Sequence, residues 1–94
     1  MTTIKGQKFL SIHAKAGETY EIKYGAAAAH INILNYSGDD IRVSTRNEFA
    51  ETADGAAGLY LTIPDGVSAN DISVVFSSVY IKSESSGSIV IERC

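Results

Sequence analysis

The residues best suited to acid–base, nucleophilic or metal chemistry in this chain are two histidines, one cysteine and two small groups of carboxylates. His13 and His30 lie too far apart to form a short zinc-binding pair, and neither has a Cys or His at ligand spacing. Each falls in a strand-like run, where the expectation is a structural histidine. Cys94 lacks a local arrangement that would depress its pKa, so a nucleophile is not expected there. A single cysteine also excludes an internal disulfide, which leaves an intermolecular one under oxidising conditions. Asp39 and Asp40 sit side by side in a turn, and Glu48, Glu51 and Asp54 follow along a longer loop. Paired carboxylates can exchange protons or hold calcium, but neither group has the alternating ligands and closing Glu of an EF-hand loop. Solvated loops are the expectation. Gly55-Ala56-Ala57-Gly58 has no following Gly-Lys and reads as a joint rather than a phosphate loop. No triad, metal set, cofactor motif or acid–base pair emerges, so the chain is expected not to be an enzyme and to carry no cofactor.

The elements that would position any such chemistry must fit in 94 residues, enough for one hydrophobic core and one domain spanning 1–94. Hydrophobic residues make up 45% and charged residues 20%, a folded rather than a disordered composition. The net charge of −3 argues against unassisted binding to a phosphate backbone. Charge is unevenly distributed, with Lys5, Lys8, Lys15, Lys23, Arg42 and Arg46 in the first half and only Lys82 and Arg93 in the second. Such asymmetry suits head-to-tail subunit contact as well as polyanion contact. No apolar run approaches the about 20 residues of a membrane helix. Met1 to Ile12 has no signal-like apolar stretch and includes Lys5 and Lys8, so synthesis and folding in a cytoplasm are expected. Asn35-Tyr36-Ser37 fits the N-glycosylation sequon, but without a secretion signal it is not expected to be used.

Periodicity is two throughout. Tyr20, Ile22 and Tyr24 alternate with polar residues, as do Ile31, Ile33 and Asn35, then Ile41 and Val43. Leu59, Leu61 and Ile63 follow, then Ile72, Val74 and Phe76, then Val79 and Ile81, then Ile89 and Ile91. Lys8 to Ala14 reads as the first strand, with Leu10 and Ile12 inward. Ala16-Gly17, Ser37 to Asp40, Pro64-Asp65-Gly66 and Ser83 to Gly87 punctuate these runs, and Ser37 to Asp40 is expected to close a hairpin. Helix has little support: Asn47 to Ala57 is broken by Gly55 and reads as an irregular turn on a long loop. The expectation is an all-β chain of about eight short strands forming an antiparallel β-sandwich or jelly-roll-like barrel.

A strand's second face should be polar where it meets water, and here it is only partly so. Leu34, Tyr36, Tyr60, Val75, Tyr80 and Val90 all fall opposite the assigned inward residues. These six form a candidate subunit interface, rich in tyrosine, whose apolar body and polar tip suit such surfaces. Scattered exposure, or a register assigned one residue out, would produce the same pattern. The closing segment, Ser88 to Cys94, is strongly β-prone and must either lie within a sheet of its own subunit or pair with a neighbour.

Gly58-Leu59-Tyr60-Leu61-Thr62-Ile63-Pro64-Asp65-Gly66, then Val79-Tyr80-Ile81-Lys82 and Gly87-Ser88-Ile89-Val90-Ile91, together resemble a recurring pattern. Small β-rich accessory virion proteins of tailed phages and prophages are similar: a strand ending in a Pro-x-Gly turn, a Tyr-Ile-Lys strand and a closing Gly-x-Ile hairpin. The resemblance covers about the last 40 residues. It implies a capsid-decoration, head-fibre or tail-associated subunit, a symmetric homo-oligomer in contact with other virion proteins, and no catalytic residues. The alternative expectation is a carbohydrate- or cell-surface-binding sandwich module with Tyr36, Tyr60 and Tyr80 as stacking platforms.

Overall fold

Alternating β-branched and polar residues leave an apolar face along the strands, and burying it calls for two sheets laid face to face. The structure is a computed structural model that describes residues 1–25, 29–45, 47, 49, 60–74 and 78–93. The described residues form nine strands and no helix: β1 (Thr2–Lys5), β2 (Phe9–Ala14), β3 (Thr19–Lys23), β4 (Ala29–Tyr36), β5 (Ile41–Ser44), β6 (Leu61–Ile63), β7 (Ser68–Val74), β8 (Ser78–Ser83) and β9 (Gly87–Arg93). Sheet I has the order β1-β3-β8-β5-β6 and sheet II the order β2-β9-β4-β7. The fold is an all-β sandwich.

Most of the residues assigned inward meet in one core. Ile12, Ala14, Ile31, Ile33, Ile89 and Ile91 of sheet II pack with Tyr20, Ile22, Ile41, Val43, Ile63, Val79 and Ile81 of sheet I. Each fully buried isoleucine contributes roughly 2–3 kcal/mol against its exposed state. Asn35 also points inward and is wholly buried. Its amide donates to the Asp39 carbonyl at 2.7 Å and the Ile63 carbonyl at 2.8 Å, and its Oδ1 accepts from the Ser37 backbone N–H and hydroxyl. All four of its hydrogen-bonding positions are filled, so the asparagine of the sequon is inside the protein.

Two expectations need correction. The first strand is Thr2–Lys5, not Lys8 to Ala14, and it pairs in parallel with β3, from Thr2↔Tyr20 to Lys5↔Lys23. With Ile4 as its only large apolar residue, it carries too little pattern to read from sequence. Ser37 to Asp40 does not close a hairpin, because β4 lies in sheet II and β5 in sheet I. The glycine and acidic residues report that the chain reverses, not which strand it then joins, and the Asn35 bonds bring it across to the other sheet. Consecutive strands switch sheets at every connection except β5 to β6, so the turns at Gly17, Gly66 and Ser83 to Gly87 are also crossings. Gly17 and Gly66 hold φ of +77° and +76°, each beside a four-residue turn hydrogen bond, Glu18 to Lys15 and Val67 to Pro64.

The last strand lies in the middle of sheet II, hydrogen-bonded to β2 and β4, and is not an edge. Gly87 begins it against the backbone of Ser37, where a Cβ would come within 2.6 Å of the Ser37 Cα. Of the apolar positions on β6, Ile63 is buried while Leu61, on the edge strand, is half exposed. Leu59, Val74's side chain, Phe76, Cys94 and the 47–57 loop apart from Asn47 and Phe49 lie outside the described residues or side chains.

Candidate functional site: the two outer faces

Register fixes which side chains share each outer face, since directly paired residues point the same way. On sheet II, Phe9 stands beside Glu92 and then Asn32 in one row across β2, β9 and β4. Ser11, Val90, Leu34 and Ser68 form the next row across all four strands. His13, Ser88 and Tyr36 form the third. Phe9, Val90, Leu34 and Tyr36 therefore run as one diagonal apolar band, with Phe9 68% and Tyr36 56% exposed at its ends. Val90 and Leu34, at its centre, are half-buried.

The opposite outer face, on sheet I, is polar: its tyrosines are matched by neighbours, while Lys5 stands opposite Lys23 and Arg42 opposite Lys82. Tyr80 donates to Glu21 Oε2 at 3.0 Å, and the Thr3 hydroxyl donates to Glu21 Oε1 at 3.1 Å. The Tyr80 hydroxyl, with Thr3 assisting, holds the Glu21 carboxyl below its ordinary range, while the same hydrogen bond raises the Tyr80 phenol. Arg42 stacks its guanidinium 4.7 Å from the Tyr60 ring centre and donates Nη1 to the Phe49 carbonyl at 2.9 Å. Phe49 is buried, although no periodic pattern marks it in the sequence.

The six interface candidates therefore do not lie together. Leu34, Tyr36 and Val90 share the sheet II face, whereas Tyr60 and Tyr80 lie on sheet I; Val75 lies outside the described residues. Phe9 belongs with the first group and was not among the expected interface residues. Its strand is exposed on one edge of sheet II, and Phe9-x-Ser11-x-His13 carries a single aromatic on that face, which gives no periodic signal.

Both histidines are solvent-facing. His30 Nδ1 lies 2.9 Å from Asp71 Oδ1 in a pair whose side chains are 50% and 81% exposed. Asp71 occupies a bulge in the β4–β7 pairing, at φ +58°, and its N–H donates to Asn32 Oδ1 at 2.8 Å. No group of three or more His, Cys, Asp or Glu that could hold a metal ion occurs among the described residues. Beneath the surface, just past β3, Tyr24 is buried with its hydroxyl unpartnered among the described residues, and burial pushes its phenol pKa up. No protein-family model matches the chain, and no curated protein matches it.

Proposed function

We propose that this protein is a non-enzymatic assembly subunit, an accessory virion protein of a tailed phage or prophage that self-associates through the outer face of sheet II. The observation that carries the reading is the band Phe9–Val90–Leu34–Tyr36 on the outer face of sheet II, exposed at both ends. Small domains gain much of their additional burial from oligomerisation, and a contiguous apolar band is where that burial is available. The biological setting rests on the resemblance of the Gly58–Gly66, Val79–Lys82 and Gly87–Ile91 segments to virion accessory proteins, a setting in which the other surfaces of the subunit contact further virion proteins. A glycan-binding role is less well supported, because Tyr36 lies on one outer face while Tyr60 and Tyr80 lie on the other. One oligosaccharide cannot stack across all three rings, and one side of Tyr60 is already covered by Arg42.

The test is the mass of the protein in solution. Sedimentation equilibrium across micromolar concentrations is expected to give a closed oligomer, and Phe9→Ser with Tyr36→Ser is expected to give a monomer. A monomeric wild-type protein at these concentrations would overturn the reading, and glycan-array binding abolished by Tyr60→Ala would favour the alternative.

A further inference from the structure

We propose that the sheet II face is an isologous interface with a second copy of this chain, its two-fold axis lying along the Phe9–Tyr36 diagonal. This rests on the assembly reading above and adds partner, symmetry and register to it. Strands lie about 4.8 Å apart and same-face residues repeat about every 6.8 Å, so Phe9 and Tyr36, two strands and two repeats apart, are separated by about 17 Å. On that grid Val90 falls on the line joining them and Leu34 lies about 4 Å to one side. A two-fold axis along this line lays Phe9, Val90 and Tyr36 over their own copies, sets Leu34 about 8 Å from its copy across the axis, and exchanges the two corners that flank the line.

The corners differ in a way that suits the exchange. One holds the hydroxyl of Ser11 and the imidazole of His13, both exposed on β2. The other holds the carboxylate of Glu92 and that of Asp71, which lies 2.9 Å from His30 of its own chain and is still 81% exposed at the β4–β7 bulge. Turning one copy about the axis sets Ser11 over the partner's Glu92 position and His13 between the positions of Ser68 and Asp71. Hydrogen-bond donors then meet carboxylates twice, once on each side of the apolar band. The surface is complementary to itself, which makes a copy of this chain a better occupant than an unrelated protein or a flat apolar ligand.

His13 and Asp71 are three strands apart within one chain, so a charge placed at position 13 senses Asp71 only through a partner copy. His13→Glu is expected to weaken dimerisation by about tenfold, since two like-charge contacts form per interface. Adding Ser68→Lys to the same chain is expected to restore it. Circular dichroism and thermal unfolding check that each variant is folded. Wild-type affinity in His13→Glu, or weakening that Ser68→Lys does not relieve, overturns the two-fold register while leaving self-association intact. A stoichiometry other than two also overturns it. A wild-type protein that stays monomeric overturns both this proposal and the assembly reading beneath it.

Discussion

The two outer faces of the sandwich carry similar residue types and treat them in opposite ways. On sheet I the tyrosines are absorbed by their neighbours, Tyr80 by Glu21 and Tyr60 by Arg42. On sheet II, Tyr36 and Phe9 end an apolar band whose neighbours are serines, an asparagine, histidines and Glu92, and the Lys8 ammonium is 5.8 Å from the centre of the Phe9 ring. One face gives its tyrosines polar partners within a single chain and the other leaves its aromatics largely in solvent. Aromatic content on a second face is therefore no measure of an interface by itself; the cross-strand neighbours decide whether the aromatic is already paired.

The largest effect comes from the hub that holds the two faces to a common core. Asn35 extends from β4 of sheet II to the carbonyls of Asp39 and Ile63, the latter at the end of β6 in sheet I, and its backbone N–H and carbonyl bond Val67 and Gly66. Asn35→Ala strands several buried polar groups and is expected to cost about 3 kcal/mol in denaturant unfolding. Loss of stability should accompany loss of both faces together. If assembly failed while stability held, the sheet II face would depend on Asn35 for some reason other than the shared core.

The same substitution at two tyrosines should give opposite signs. Tyr24→Phe removes a buried hydroxyl with no partner among the described residues and is expected to stabilise by about 1 kcal/mol. Tyr80→Phe removes a hydroxyl that donates to Glu21 and is expected to destabilise slightly. Thermal unfolding of the two variants side by side checks the pair, and a destabilised Tyr24→Phe would mean that its hydroxyl is bonded after all. On sheet II, Phe9→Ser and Tyr36→Ser are expected to change monomer stability by less than about 0.5 kcal/mol each, because solvent already surrounds them. A larger loss would show the band to be holding its own chain together.

The inner half of the fold was legible because burial enforces period two: Ile12, Ile22, Ile33, Ile81 and Ile91 announce the core whatever their neighbours are. Asn35 was legible for the same reason, falling in phase with Ile31 and Ile33. Strand order was not. Ser37 to Asp40 has the composition of a hairpin turn, yet the chain crosses sheets there, since turn residues encode local φ and ψ and not the identity of the next partner. The candidate site was half legible. Leu34, Tyr36 and Val90 were out of phase with the core, but whether they met Tyr60 and Tyr80 depended on pairings thirty to sixty residues distant in sequence. Phe9 carries no such signal, because one aromatic in a strand has no period.

The smallest effect, and a direct probe of the sheet I face, is the pH dependence of the Glu21–Tyr80 pair. Hydrogen bonding lowers the folded Glu21 pKa below its ordinary 4.5, chiefly through Tyr80, so the native state favours the carboxylate. A depressed pKa contributes stability above the unfolded value and loses it as pH falls through the folded one. Tyr80 is the reverse: Glu21 raises its phenol above 10.0, so its contribution is full below that value and is lost as pH rises through the folded pKa. Tyr80→Phe should therefore differ most from wild type near neutrality, and the difference should shrink below pH 4.5 as Glu21 is protonated in both proteins. The acid limb is the cleaner one, because Tyr24 also has a raised pKa and adds its own loss of stability in alkali. Urea unfolding of both proteins at pH 7 and pH 3 measures it; a difference that does not change between the two would mean that the hydroxyl acts on sheet I by packing alone, and the contrast with sheet II would then rest on Arg42, Tyr60 and Phe49.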